Sequence, residues 1–112
     1  MIAAVREEML PLDRNFFRTA PGLARSLARL DGILAGLRAS GRMALRAREA
    51  AALTATGRWA YYSALAREES RGMQRRLDAP DPDPSFLCAI ETAGLDRVTV
   101  AHRTLAPGAP AA

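Results

Sequence analysis

Arginine is the residue type with most to offer chemically in this chain. Arg67, Arg71 and Arg75 recur at i, i+4 and i+8, so on a helix their guanidinium groups stack on one face, each pair opposing the helix by roughly a few tenths of a kcal/mol. Such a face calls for carboxylates. Glu68 reaches Arg71 at i+3, Asp78, Asp81 and Asp83 can fold back from the following segment, and a second polypeptide is the remaining source. Gly72 places a position without a side chain inside the stripe, which admits a neighbouring backbone closely and favours docking over three arginines standing in solvent.

The other reactive residues exclude more than they offer. His102 has no Ser or Cys nucleophile in a plausible relation to it and reads as a packing or surface histidine. Cys88 is the only cysteine and His102 the only histidine, so the chain can neither close an internal disulfide nor complete a zinc site. In its apolar strand Cys88 reads as a small hydrophobe. Asp78, Asp81 and Asp83 lack the glycine and distal glutamate of a calcium loop, and the prolines between them restrict convergence. No catalytic, cofactor-binding or metal-ligating residue is expected. Trp59, Tyr61 and Tyr62 cannot all face one core at about 100° per residue. Trp59 either covers the hairpin or first helix, or stands exposed as an anchor for a partner.

At 112 residues there is room for one domain and none for an additional dinucleotide-binding domain. The hydrophobic fraction of 49% is that of a globular protein. All 16 basic residues are arginine, a bias that goes with the abundant alanine and points to GC-rich codons, so the net charge of +4 is not read as a nucleic-acid signal. No segment approaches the roughly 20 apolar residues of a membrane span, and the first eight residues lack a signal peptide's apolar run. A cytoplasmic location and no membrane insertion are expected.

The elements that must position these residues follow from the apolar spacing. Ile2, Val5, Met9 and Leu12 predict a short helix over Ile2 to Leu12. Thr19 is a candidate N-cap with Pro21 in the first turn, and Leu23, Leu27, Leu30, Leu34 and Leu37 form the stripe of a second helix ended by Ser40 and Gly41. From Arg42 to about Leu77 a long third helix is expected, with Met43, Ala47, Ala50, Leu53, Tyr61 and Leu65 inward and with Gly57 and Gly72 marking a kink and an end. Alternating prolines make 79–84 a stiff connector. Residues 86–90 and 97–102 read as two strands around Gly94, Leu95 and Asp96, with Val98, Val100 and His102 on one face. The expected fold is mainly α: a spectrin-repeat-like three-helix bundle with a long third helix and a C-terminal β-hairpin, over residues 1–105, followed by a disordered tail at 106–112.

The segment from Ala66 to Pro80 carries a resemblance. It is similar to the A-R-x-E-S-R-G-x-H-x-R-x-D-x-P pattern that closes the long helix in the succinate dehydrogenase, fumarate reductase and L-aspartate oxidase flavoproteins. Glu69, Ser70, Arg71, Gly72, Arg76, Asp78 and Pro80 stand at matching positions. Arg18-Thr19 followed by Gly22-Leu23 resembles the family's R-T-x-x-G-L entrance to its second C-terminal helix, and Phe86-Leu87-Cys88 resembles its W-L-C. The family histidine is replaced by Gln74, and Arg75 stands where an aromatic residue often follows. The resemblance covers nearly the whole chain.

What the resemblance implies is an accessory role. The family's catalytic residues and its FAD-binding glycines belong to preceding domains, so FAD is implied in a partner and none in this chain. The expected function is a non-catalytic domain or small subunit, encoded separately or present as a fragment, that docks on and stabilises a flavin-dependent oxidoreductase acting on a small dicarboxylate or amino-dicarboxylate. The expected partner interface is Trp59, Arg67, Glu69, Ser70, Arg71, Gly72, Arg75, Arg76 and Asp78. The alternative is a standalone helical module that forms a homo-oligomer without a flavoprotein partner.

Overall fold

The structure is a computed structural model that describes residues 1–41 and 45–105. The expected Arg42 and Met43 at the start of the long helix and the tail at 106–112 lie outside the described residues. Four helices are followed by a two-stranded sheet: α1 (Ile2–Met9), α2 (Leu12–Asn15), α3 (Ala20–Ala39), α4 (Leu45–Ala66), a 3-10 turn (Pro84–Phe86), β1 (Cys88–Ala93) and β2 (Thr99–Thr104). The chain is mainly α with a C-terminal hairpin, as the sequence implies.

The first helix is shorter than its apolar spacing suggests. Pro11 has no amide hydrogen and takes an extended ψ of 137°, so the chain turns there and restarts as α2. The Asn15 amide donates back to the Met9 carbonyl at 2.8 Å, satisfying an acceptor that the end of α1 leaves open. Entry to α3 is as expected: Thr19 Oγ1 accepts from the Gly22 amide at 3.1 Å, with Pro21 in the first turn. All five leucines of the α3 stripe are buried.

The sequence pattern suggests a longer course for α4, but the helix stops at Ala66, well short of Leu77. Its inward stripe is Ala50, Thr54, Gly57, Tyr61 and Ala64, spaced 4, 3, 4 and 3. Leu53 sits one position off that stripe and is 47% exposed, so its expected inward placement is corrected by the 100° step of the helix. Gly57 marks a close contact between helices. A side chain begun there would meet Met9 Sδ at 3.0 Å and Leu30 Cδ1 at 3.5 Å. The core gathers Val5, Leu23, Leu27, Leu30, Tyr61 and Ala64, with Met9, Ile33, Tyr62 and Leu65 packed around it.

The two strands pair antiparallel, with Ile90 opposite His102 and Thr92 opposite Val100. The first strand starts later than expected, because Asp83 caps a 3-10 turn through Pro84–Phe86 by accepting from the Ser85 amide at 2.9 Å. Gly94 has φ +97°, and a Cβ there would fall 2.1 Å from the Arg97 carbonyl oxygen, so the bend admits glycine alone. β1 is half-buried over much of its length, whereas β2 is exposed throughout. Val98, just before β2, is half-buried, whereas Val100 and His102 are exposed, so the expected common face is not a buried one.

Gly57 supplies a test of the helix contact. Gly57→Ala displaces only the far end of the flexible Met9 side chain and gains helix propensity, so it should leave the melting temperature nearly unchanged. Gly57→Leu should lower stability by about 1–3 kcal/mol in a denaturant titration, because a leucine there overpacks the contact.

Candidate functional site

The residues that carry the family pattern form a compact loop, 67–83, and not the last turns of a helix. Helix α4 ends because its last carbonyls are taken. The Arg76 guanidinium, 3% exposed at its side chain, donates through Nη1 to the carbonyls of Ala64 (3.0 Å), Leu65 (3.2 Å) and Arg67 (3.2 Å). Gln74 Nε2 adds a second bond to Ala64 at 3.1 Å. A cation at the C-terminal end of a helix also meets the negative pole of its dipole.

The other edge of the same guanidinium grips Asp78. Nε and Nη2 donate to the two carboxylate oxygens at 2.8 and 2.9 Å, the two-pronged geometry that arginine favours. Asp78 Oδ2 then accepts from the Ala20 amide at 3.0 Å, at the positive end of α3. One ion pair thereby links the end of α4 to the beginning of α3. The Arg76 contact, followed by desolvation against it and the Ala20 bond, holds the Asp78 carboxyl well below the usual carboxylate range.

A second layer surrounds Glu69, whose side chain is fully buried. Its Oε1 accepts from Arg67 Nη1 (2.7 Å) and Arg71 Nε (2.8 Å), and its Oε2 from Arg71 Nη2 (3.0 Å) and the Asp83 amide (2.7 Å). Bonds from Arg71 above all hold its carboxyl down at about 2, against the opposing effect of burial. Arg67 also donates to the carbonyls of Phe86 and Cys88, both at 2.8 Å, tying the hairpin to the loop. Ser70 accepts from the Arg76 amide and donates to the Ala79 carbonyl, each at 2.8 Å.

This geometry corrects the expected arginine ladder. Arg67, Arg71 and Arg75 share no helix face, since α4 ends before the first of them. The carboxylate between Arg67 and Arg71 is Glu69 and not the exposed Glu68. Gly72 is no notch for a neighbouring backbone: nothing lies within 4 Å of its would-be Cβ, and its φ of +58° opens a tight turn in which the Arg71 and Gln74 backbones exchange hydrogen bonds at 2.9 Å. Glycine belongs at the first central position of such a turn.

The remaining candidates divide. Trp59 lies apart from the loop, donating from Nε1 to the Gly94 carbonyl at 2.8 Å, so it covers the hairpin bend. Arg75 is exposed and, among the described residues, has no ion pair or side-chain hydrogen bond. Cys88 is half-buried with its Sγ 3.7 Å from His102 Nδ1. No group of three potential metal ligands is found among the described residues.

Several residues outside that selection prove structural. Arg18 pairs its backbone with Arg75 and Leu77, and its guanidinium reaches Gln74 Oε1 and Asn15 Oδ1. Burial lowers the Arg18 pKa, with the neighbouring Tyr61 acting against it. Arg58 reaches Asp31 and the Leu95 carbonyl, and Tyr62 donates to the same Asp31, which pins the hairpin bend to both long helices. Glu8, 1% exposed, is held by Arg14, Arg29 and Ser26. Its position at i+3 from Val5 on the apolar face of α1 was the available signal.

A short helical bundle closed by a loop in which Arg67, Arg71 and Arg76 are internally neutralised defines a scaffold whose shape is set by ion pairs. The chain belongs to the fumarate reductase flavoprotein C-terminal family, the C-terminal domain of the fumarate reductase and succinate dehydrogenase flavoproteins, whose model matches residues 8–106. No curated protein and no solved structure matches the chain. No helix among the described residues is long and apolar enough to cross a membrane.

Glu69 makes the loop acid-sensitive. Its folded pKa is depressed from 4.5 to about 2, so its contribution is present above pH 4.5 and is lost as pH falls through about 2. Denaturant midpoints measured down this range should fall steadily. Glu69→Gln should begin less stable at neutral pH and show a shallower acid slope; an unchanged slope would remove Glu69 from this role.

Proposed function

We propose that this chain is a non-catalytic accessory domain that docks on the flavin-binding part of an oxidoreductase of the succinate dehydrogenase, fumarate reductase or aspartate oxidase type, and stabilises it. The match to the flavoprotein C-terminal family over residues 8–106 carries the reading. FAD is carried by the partner in this account, and the residues of this chain supply shape and charge. A specific contact of this kind buries on the order of 1,600 Å² in total.

The 67–78 loop is the proposed contact, and its residues have different tasks. Glu69, Ser70, Arg76 and Asp78 are consumed internally and hold the loop in one conformation, which lowers the ordering cost of binding. Arg75 and Gly72 are exposed, while Arg71 and Arg67 are partly so. These present the surface. Trp59 enters only through its hold on the hairpin bend.

Arg75 separates docking from folding, because it makes no internal ion pair. Arg75→Glu should leave the melting temperature unchanged and weaken binding to the FAD-loaded flavoprotein of the source cell by about tenfold, read by isothermal titration calorimetry. Full affinity in that variant would take the loop out of the interface. A parent chain that ignores the flavoprotein and instead forms a stable homo-oligomer in native mass spectrometry would sink the accessory reading.

A further inference from the structure

Beside the family loop lies a concave site of about 410 Å³ between the α1–α2 corner and α3, lined by Asp13, Arg14, Phe17, Arg25, Arg29 and Leu77 among others. Its charges are unequal. Arg14 and Arg29 converge on the buried Glu8, so two guanidinium groups share one carboxylate. Among the described residues Arg25 has no ion pair or hydrogen bond from its side chain, and Asp13 supplies the only other negative charge in the lining. Three arginines against two acids leave the hollow positive by one charge. The amides at the start of α3 add nothing, because those of Ala20 and Gly22 are already held by Asp78 and Thr19.

The rim is apolar and continuous with the loop. Phe17 is 45% and Leu77 57% exposed. The Leu77 amide donates to the Arg18 carbonyl at 2.7 Å, which locks the two rim segments together. Between Gln74 and Arg76, whose side chains turn inward to the end of α4, Arg75 is exposed.

We propose that this hollow is the specificity pocket of the interface, and that it receives an acidic side chain flanked by an aliphatic residue from the flavoprotein. The inference rests on the docking reading and deepens it. The argument for this occupant is charge complementarity: the hollow is net positive and Arg25 in its lining has no partner among the described residues, so an entering carboxylate meets cations while its aliphatic neighbour covers the exposed Phe17 and Leu77.

The test uses the full chain with the photo-crosslinking residue p-benzoylphenylalanine in place of Phe17, irradiated with the FAD-loaded flavoprotein. Expected is a crosslink to a flavoprotein segment containing Asp or Glu next to an aliphatic residue. Arg25→Glu should weaken binding by about tenfold with an unchanged melting temperature, and changing the identified acid to Arg should restore it. Arg48→Glu, an exposed charge on the body of α4, should bind as the parent does. If Arg25→Glu binds normally while Arg75→Glu does not, docking stands and the pocket falls. A crosslink to an acid-free segment, or to a second copy of the chain, also overturns the pocket, and a parent chain that does not bind overturns both.

Discussion

The guanidinium of Arg76 is the joint on which the domain turns. A helix ends with carbonyls that need donors, and a helix begins with amides that need acceptors. Arg76 answers the first need at α4 and, through the carboxylate of Asp78, the second at α3. Because that charge is almost fully buried, it is tolerated only with every donor engaged. The segment from Ser70 to Ala79 is folded around this requirement, with the Ser70 hydroxyl closing the loop on the Arg76 backbone. Glu69 then repeats the solution one layer out, with Arg67 and Arg71 as its cations and the hairpin as its beneficiary.

This arrangement changes what the family pattern means. Residues that look like an exposed recognition stripe in one dimension are mostly consumed inside the fold. The pattern specifies a shape, and the residues left over from it supply the surface. Arg75 is outside the internal network because its neighbours on both sides turn inward. Gln74 fills the family's histidine position with an amide that donates to α4 and accepts from Arg18. The position has a bridging role in this chain without a titratable ring.

The helical half of the fold was legible because its signals are local. A leucine every third or fourth residue, a threonine before a proline, and a serine–glycine pair each have one structural reading, and α3 follows them. The end of α4 was not legible, since Arg67 to Leu77 contains good helix formers, no proline, and only one glycine. What stops the helix is a side chain that lies ten residues beyond it and returns to its last carbonyls. Propensity cannot register a competitor of that kind. The same holds for Glu8 and Arg58, charged residues on apolar faces whose partners come from distant parts of the chain. The loop residues stand out in the sequence by their pattern, but their division between interior and surface required the three-dimensional path.

The manner in which α1 is attached has its own consequence. Val5 is the one residue of this helix in the central cluster, and Met9 packs at its edge. Much of the remaining hold is polar, through Glu8 to Arg14, Arg29 and Ser26 and through the Tyr61 hydroxyl to the Glu8 carbonyl. An attachment that conceals so little hydrocarbon can come undone without a large change in heat capacity or denaturant sensitivity. An opening of the N-terminal helix alone, with α3 and α4 closed, would therefore register in amide hydrogen exchange more readily than in a denaturant titration.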